Sequence, residues 1–363
     1  MKQKPIPLPP SFEEPFAPSV ELPLKEINPR ISIGSPIEIS FDNDKYRRVI
    51  KAELNTGEAL WYGRWGNRWS GEGKYDFTEL NKNINWIKQN GLSPTVHMLV
   101  GPDIYMPDWL IEGTWEEAKL DNLLRGLIDS IMDSNDNKDK VETWNVINEL
   151  FEDDGSYRKN MVWNKMGWEK DTSDLVGEDK INEQHPVFIR KAFTYCREKT
   201  KAKLELRDFN IENNDPVHDN DKRHKAIYQL LKHMINGHIP VDAIGIQGHL
   251  IVGKSSWRLK NNAMRASVEK FKALGIEVFV TEIDAGIEKR TWSDAVAQEQ
   301  KEDYYDYVKQ ALEGGATRIS FWGIQDGMDK GWLTQEHPLL WTENFERKPA
   351  YFGVKQALMD SKK

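Results

Sequence analysis

Apolar residues in this chain occur in two alternating patterns. Short runs rich in β-branched and aromatic residues are followed by longer segments in which apolar positions recur every three or four residues. The short runs predict strands over Ile31–Ile33, Lys51–Asn55, Ser93–Leu99, Glu142–Asn148, Lys203–Asn210, Ala243–Gln247, Glu277–Glu282 and Arg318–Trp322. Helical periodicity is predicted over Phe77–Asn90, Trp115–Asp133, Pro186–Lys199, Asp221–Ile235, Ala263–Leu274, Ser293–Glu313 and Pro349–Met359. Gly91 and Gly275 each follow a helical segment and precede a strand, where a left-handed helix cap favours glycine. Alternation of this kind, without internal repeats, implies an α/β fold with a parallel sheet and crossover helices. The eight strands predict a (β/α)8 TIM barrel.

The predicted strands share an oddity at their ends. Trp144-Asn145-Val146-Ile147-Asn148-Glu149 is apolar in its body and polar at its tip, and Val278-Phe279-Val280-Thr281-Glu282-Ile283-Asp284 repeats the design. Other tips carry Asn55, His97, Asn210 with Glu212, Gln247 with His249, and Trp322. Buried strands avoid such groups unless they are used or paired. In a parallel barrel the C-terminal ends of all strands meet on one face, so these residues are expected to converge there.

Residues 1–30 break the pattern with Pro5, Pro7, Pro9, Pro10, Pro15, Pro18, Pro23 and Pro29, which predicts a proline-rich arm or linker ahead of one domain spanning 31–363. A barrel with insertions accommodates the 363 residues without a second domain. The net charge of −8 and the lack of a long basic run exclude nucleic acid as an expected partner, and no apolar run is long enough to span a membrane. No secretory signal is visible at the N-terminus. Cys196 is the single cysteine, which excludes an intramolecular disulfide. Fourteen tryptophans and eleven tyrosines supply aromatic faces; most belong to packing, but those near polar strand ends suit the apolar face of a sugar ring.

Two carboxylates flanking a sugar linkage cleave it when one protonates the leaving oxygen and the other attacks the anomeric carbon or activates water. Glu149, beside Asn148 and otherwise among apolar residues, suits the acid, and Glu282, with His249 and Gln247 as candidate donors, suits the ionised partner. Asp284 is placed to orient His249. These segments resemble, in order, the glycoside hydrolases of family ten, endo-β-1,4-xylanases on a (β/α)8 barrel with a retaining mechanism. WNVINE at 144–149 resembles the acid/base strand, VTEIDA at 280–285 the nucleophile strand, and AIGIQGHL at 243–250 the strand bearing the Gln and His around the nucleophile. RDFNIEN at 207–213, FWGIQDG at 321–327 with Gly331-Trp332, and PLLWTENFERKPAYFGV at 338–354 complete the resemblance, which runs from about residue 31 to 361. It implies Glu149 as acid/base, Glu282 as nucleophile, and Asn148 on the sugar 2-hydroxyl. It further implies that Gln247, His249, His97, Asn55, Trp322 and Trp332 contact sugar, with Asp284 and Asn210 in support. No cofactor or metal is expected. A xylan-type polysaccharide or oligosaccharide is the expected partner of a monomeric, secreted or periplasmic enzyme.

The sequence departs from that family on the non-reducing side of the expected cleft. Where the family has a Trp-His pair four residues after the histidine, His97 is followed by Val100-Gly101 and Pro102-Asp103-Ile104-Tyr105. Where it has Glu-Asn-Glu-Met-Lys-Trp, this chain reads Leu54-Asn55-Thr56-Gly57-Glu58-Ala59-Leu60-Trp61, and the lysine beside the cut has no equivalent. Phe209 stands where a tyrosine is frequent. The loop Trp61–Trp69 offers Arg64 and Arg68 to an acidic decoration, against a plain role in loop packing. His218, Asp219, Asp221 and His224 read as a solvated helix start rather than a metal site. Three readings remain: an endo-xylanase, a retaining hydrolase of decorated xylan or another β-glycan, and a barrel that only binds oligosaccharide.

Overall fold

Eight parallel strands form one sheet in sequential order: β1 Ser32–Gly34, β2 Thr56–Leu60, β3 Ser93–Val100, β4 Thr143–Asn148, β5 Lys203–Phe209, β6 Ala243–Ile251, β7 Glu277–Gly286 and β8 Arg318–Phe321. In the computed structural model, which describes residues 22–362 apart from 39, 213–220, 255–258, 328–332 and 334, the sheet closes on itself. Ser32 of β1 pairs with Arg318 of β8, and Pro36, just past β1, forms a parallel bridge with Glu58 of β2. The expected (β/α)8 barrel is the observed fold.

The crossover helices are α1 Asp44–Glu53, α2 Thr78–Gln89, α3 Glu117–Asp133, α4 Val187–Lys199, α5 Asp221–Asn236, α6 Ala263–Lys272, α7 Asp294–Gly314 and α8 Pro349–Asp360. Each turns an apolar stripe inward; α3, for example, buries Leu120, Leu123, Leu124, Leu127, Ile128 and Ile131. Among the described residues, no helix is long and apolar enough to cross a membrane.

The second strand differs from expectation. Residues 51–53 end α1, which begins where Asn43 Oδ1 accepts the Lys45 and Tyr46 amides at 2.8 and 3.2 Å. The strand is instead Thr56–Leu60, whose Gly-Glu-Ala centre carries little β propensity. Tertiary packing overrides that weakness: a Cβ on Gly57 would lie 2.9 Å from both Ile37 and Ile87, so only glycine lets β2 approach its neighbours here. The expected arm also ends earlier than residue 30. Leu24–Ile27 form one helical turn with both of those residues buried, anchored by the Leu24 amide on Glu53 Oε2 at 2.9 Å. Residues 1–21 lie outside the described residues.

Strand alternation sorts the barrel wall. Leu204, Leu206, Ile244, Ile246, Val278 and Val280 are buried apolar residues, while the positions between them include Glu205, Arg207, Gly245 and Thr281. Arg207 reaches across the barrel to Glu58, so these intervening positions fill its interior with charge. Gly245 makes room for it, since a Cβ there would lie 2.1 Å from Glu205 Oε1. Gly245→Ala is therefore expected to displace Glu205 from its 2.7 Å pairing with Arg207. Breaking a buried ion pair costs about 3 kcal/mol, which urea unfolding of the variant should detect.

Candidate active site

Glu149 follows β4 directly with φ 54°, in the left-handed region that a non-glycine residue enters at a cost. Its amide is held by the Arg207 carbonyl at 2.9 Å. The next two amides, Leu150 and Phe151, donate to Asp208 Oδ2 at 3.0 and 3.3 Å. Asp208 is wholly buried and is itself held by Arg223 at 3.1 Å. The turn is thus over-determined, and it aims the carboxyl into the barrel mouth. There Asn148 Nδ2 and Gln247 Nε2 both donate to Glu149 Oε1, at 2.9 and 3.2 Å. Burial, followed by the charges of Glu282 and Asp208, raises the Glu149 carboxyl above its ordinary range, outweighing Gln247 and Arg158. The shift favours the protonated form, the state a general acid needs.

Glu282 sits on a bulge of β7. Gln247 pairs with Thr281 and His249 with Asp284, so three steps on β7 face two on β6, and Glu282 is the extra residue, with φ 57°. The bulge turns its side chain inward, where it is 3% exposed. His249 Nε2 lies 3.3 Å from Glu282 Oε2, and its Nδ1 lies 3.1 Å from Asp284 Oδ1. Burial would lower the His249 imidazole, but the two carboxylates outweigh it and hold the ring charged, with a pKa of about 10. Asp284 therefore keeps His249 as a cation rather than selecting a neutral tautomer.

Beneath Glu282 lies the Arg207 guanidinium, 1% exposed. It donates to Glu282 Oε1 at 2.9 Å, to Glu205 Oε1 at 2.7 Å and to Glu58 Oε2 at 2.7 Å. Burial would raise the Glu282 carboxyl, yet its surroundings hold it below its ordinary range. A charged His97 would contribute to that, but His97 Nδ1 faces two donors, Asn145 Nδ2 at 2.9 Å and Arg207 Nη1 at 3.0 Å. A nitrogen facing two donors acts as acceptor, and burial lowers the ring's pKa in any case, so His97 is neutral. Arg207 and His249 are the cations that keep Glu282 ionised. Asn145 Nδ2 also donates to Asn148 Oδ1 at 3.2 Å, so one chain of hydrogen bonds runs from Glu282 through Arg207, His97, Asn145 and Asn148 to Glu149. Two carboxyls shifted in opposite directions at one barrel mouth are what acid-assisted displacement at a sugar carbon requires.

The family model described as glycosyl hydrolase family 10 matches residues 27–357. The chain belongs to glycosyl hydrolase family 10. Its family 10 relatives include endo-1,4-beta-xylanase B of Thermotoga neapolitana, 26% identical over 88% of this chain and 85% of that protein. Endo-1,4-beta-xylanase A of Thermoanaerobacterium saccharolyticum is 28% identical over 78% of this chain, which spans only 23% of that longer protein. Among solved structures, xylanase 10B from Thermotoga petrophila RKU-1 in complex with xylobiose superposes with a TM-score of 0.77 at 25% identity, covering 94% of this chain and 98% of that one. Native xylanase 10B from Thermotoga maritima gives 0.77 at 26% identity, covering 93% and 98%.

Within this family 10 barrel the sequence-derived residues divide. Glu149, Asn148, Gln247, His97, His249, Glu282 and Asp284 meet at the mouth, and Trp322 packs edge-on to His97 and His249 with ring centroids 5.3 and 6.3 Å away. Gln247 differs in detail: expected beside Glu282, it donates to Asn148 at 3.1 Å and to Glu149. Asn210 follows β5 directly, in the left-handed region at φ 53°. Asn55 is displaced from the site altogether. It precedes β2 at the opposite end of the barrel, where its Oδ1 accepts the Ile33 amide at 2.7 Å, because the true strand starts after it. Trp332 and His218 lie outside the described residues.

Sequence reasoning missed Glu58, Glu205, Arg207 and Asp208. The signal was present as charged residues alternating with Leu204 and Leu206 in a strand otherwise fit for burial. It also missed Tyr62, whose ring packs edge-on to His97 at 5.6 Å and stacks on Tyr105 at 5.3 Å, with Trp65 half exposed beside it. Burial raises the Tyr105 hydroxyl first, and the charges of Glu149 and Glu282 add to the shift. Arg64 of the same loop is paired with Asp108 at 2.6 Å.

A second His and carboxylate group, Asp171, His185 and His233, ties the loop after β4 to α5. The Thr172 amide donates to His233 Nδ1 at 3.1 Å, which leaves the His233 proton on Nε2, 3.3 Å from Glu169 Oε1. His185 spans Tyr157 and Asp171, with Nε2 2.9 Å from the carboxylate. Every ring nitrogen is engaged in hydrogen bonds, and the group serves as a clamp.

Proposed function

We propose that this chain is a retaining endo-β-1,4-xylanase. The observation that carries the reading is the pair Glu149 and Glu282 at one strand-end face, each held by its own hydrogen-bond partners and shifted in opposite directions. It is supported by family membership and by relatives named as xylanases. In the first step Glu282 forms a bond to the anomeric carbon as the glycosidic C–O bond breaks, and Glu149 gives its proton to the leaving oxygen. In the second step the ionised Glu149 takes a proton from water, whose oxygen displaces Glu282 and returns the enzyme to its starting state. Asn148 is the donor for the sugar 2-hydroxyl, and Trp322, Tyr62 and Tyr105 wall the glycone side. Export from the cell belongs to the same reading, because polymeric xylan lies outside it.

Reducing-sugar release from xylan, glucuronoxylan, arabinoxylan and β-glucan, run beside Glu282→Ala, tests this reading. Release from none of the four with oligosaccharide binding retained overturns it in favour of a binding barrel. The Tyr62, Trp65 and Tyr105 cluster, in place of the family's lysine and histidine, favours a second reading in which a decorated xylan or another β-glycan is preferred, and the same panel ranks those substrates. The first-formed sugar is expected to be the β anomer by proton NMR, and an α anomer would contradict the double displacement.

A further inference from the structure

Arg207 is the one guanidinium in direct contact with the proposed nucleophile among the described residues, and it comes from the barrel floor rather than from a substrate-facing loop. It meets three carboxylates, Glu58, Glu205 and Glu282, and each of its three nitrogens donates to at least one of them. Arg318 supplies a second interior cation, 3.9 Å from Glu205 and bonded to Thr143 at 2.9 Å, yet it touches neither Glu58 nor Glu282 at ion-pair distance. A planar fork bonded on all sides has no freedom to leave, so the distance from Arg207 to Glu282 is fixed by Glu58 and Glu205. Glu282 thus has Oε1 anchored to the floor and Oε2 beside the charged His249.

We propose that Arg207 is a positioning residue for the nucleophile. It holds Glu282 ionised in one orientation and balances the carboxylate that reappears when the glycosyl-enzyme is hydrolysed, with Glu58 and Glu205 as the struts that hold it there. The proposal rests on the retaining reading above. A cation on the nucleophile stabilises the carboxylate as a leaving group, so its main kinetic effect falls on the second step, in which water displaces Glu282 from the anomeric carbon. The guanidinium keeps its protons throughout, and no bond to it is made or broken.

Arg207→Gln tests the role, beside Arg207→Lys and the charge-compensated Glu205→Gln/Arg207→Gln. A dinitrophenyl xylobioside serves as substrate, because its good leaving group makes the second step limiting. The expected result for Arg207→Gln is an acid limb of kcat/KM moved upward by about one pH unit or more, as follows from removing a contacting cation from a carboxylate. KM is expected to fall together with kcat, as the glycosyl-enzyme accumulates, and Arg207→Lys should restore part of both. An unmoved acid limb, with kcat lowered at constant KM, overturns the proposal and leaves Arg207 a packing residue. If Arg207→Gln alone does not fold, the compensated double variant, which removes one carboxylate charge with the cation, carries the same readouts. Titration of 13C-labelled glutamate carboxyls, assigned through Glu282→Gln, reads the same shift without any substrate. A Glu282 signal that moves in the variant while the wild type cleaves no xyloside sinks the substrate reading alone; one that stays in place sinks the role of Arg207.

Discussion

Glu282→Ala is expected to abolish turnover, lowering kcat on xylan by about 10⁵-fold, the scale of removing a nucleophile that acts as one unit with its partners. The physical reason is that no other described carboxylate takes its place: Glu58 and Glu205 are consumed by Arg207, and Asp284 is turned to His249. Folding should survive. The interior of the barrel carries Glu58, Glu205 and Glu282 against Arg207 and Arg318, so deleting one carboxylate brings the buried charges nearer to balance. Circular dichroism and thermal unfolding should therefore be close to wild type while sugar release disappears. A variant that keeps more than about a hundredth of wild-type kcat would remove Glu282 from the mechanism.

Glu149→Ala should show a different signature. Losing a general acid costs about 10²–10⁴-fold on natural linkages, whose leaving oxygen must be protonated. A dinitrophenyl glycoside leaves without a proton, so its first step should be nearly unaffected, and the covalent intermediate should accumulate because its hydrolysis still needs the base. The pH profile adds a check with a definite sign. Glu149 is raised and must be protonated for the first step, so wild-type kcat/KM falls as pH rises through its pKa; Glu282 is lowered and must be ionised, so activity also falls as pH drops through its depressed pKa. In Glu149→Ala the alkaline limb should vanish and the acid limb remain. Equal losses on natural and activated substrates would count against the acid role.

The fold was legible to the extent that it follows from local pattern. Seven of the crossover helices fall within a few residues of their amphipathic segments, since a helix packed on a barrel needs one apolar stripe and its ends carry capping residues such as Ser293. β2 failed because Thr56–Leu60 lacks alternation and has Thr56 as its one β-branched residue; contacts with Ile37 and Ile87, remote in sequence, make it a strand. That shift of a few residues moved Asn55 from the mouth to the base of the barrel.

The proposed catalytic pair was readable because Glu149 and Glu282 interrupt apolar strands, and polar groups at such positions are retained only when paired or used. The direction in which each carboxyl's pKa moves was decided by the tertiary structure. Neighbours in sequence suggested donors for Glu282 from β6, and one of them, Gln247, turned out to serve Glu149. Beside the expected His249, Glu282 has a second partner in Arg207, which lies 75 residues away in the chain and meets it only because closing the barrel brings the inward faces of β5 and β7 together. By itself the sequence determined the barrel, the polar character of its strand ends and the two glutamates proposed to react there. The electrostatic environment that sets their ionisation depends on distances across a closed sheet, and those exist only once the chain has folded.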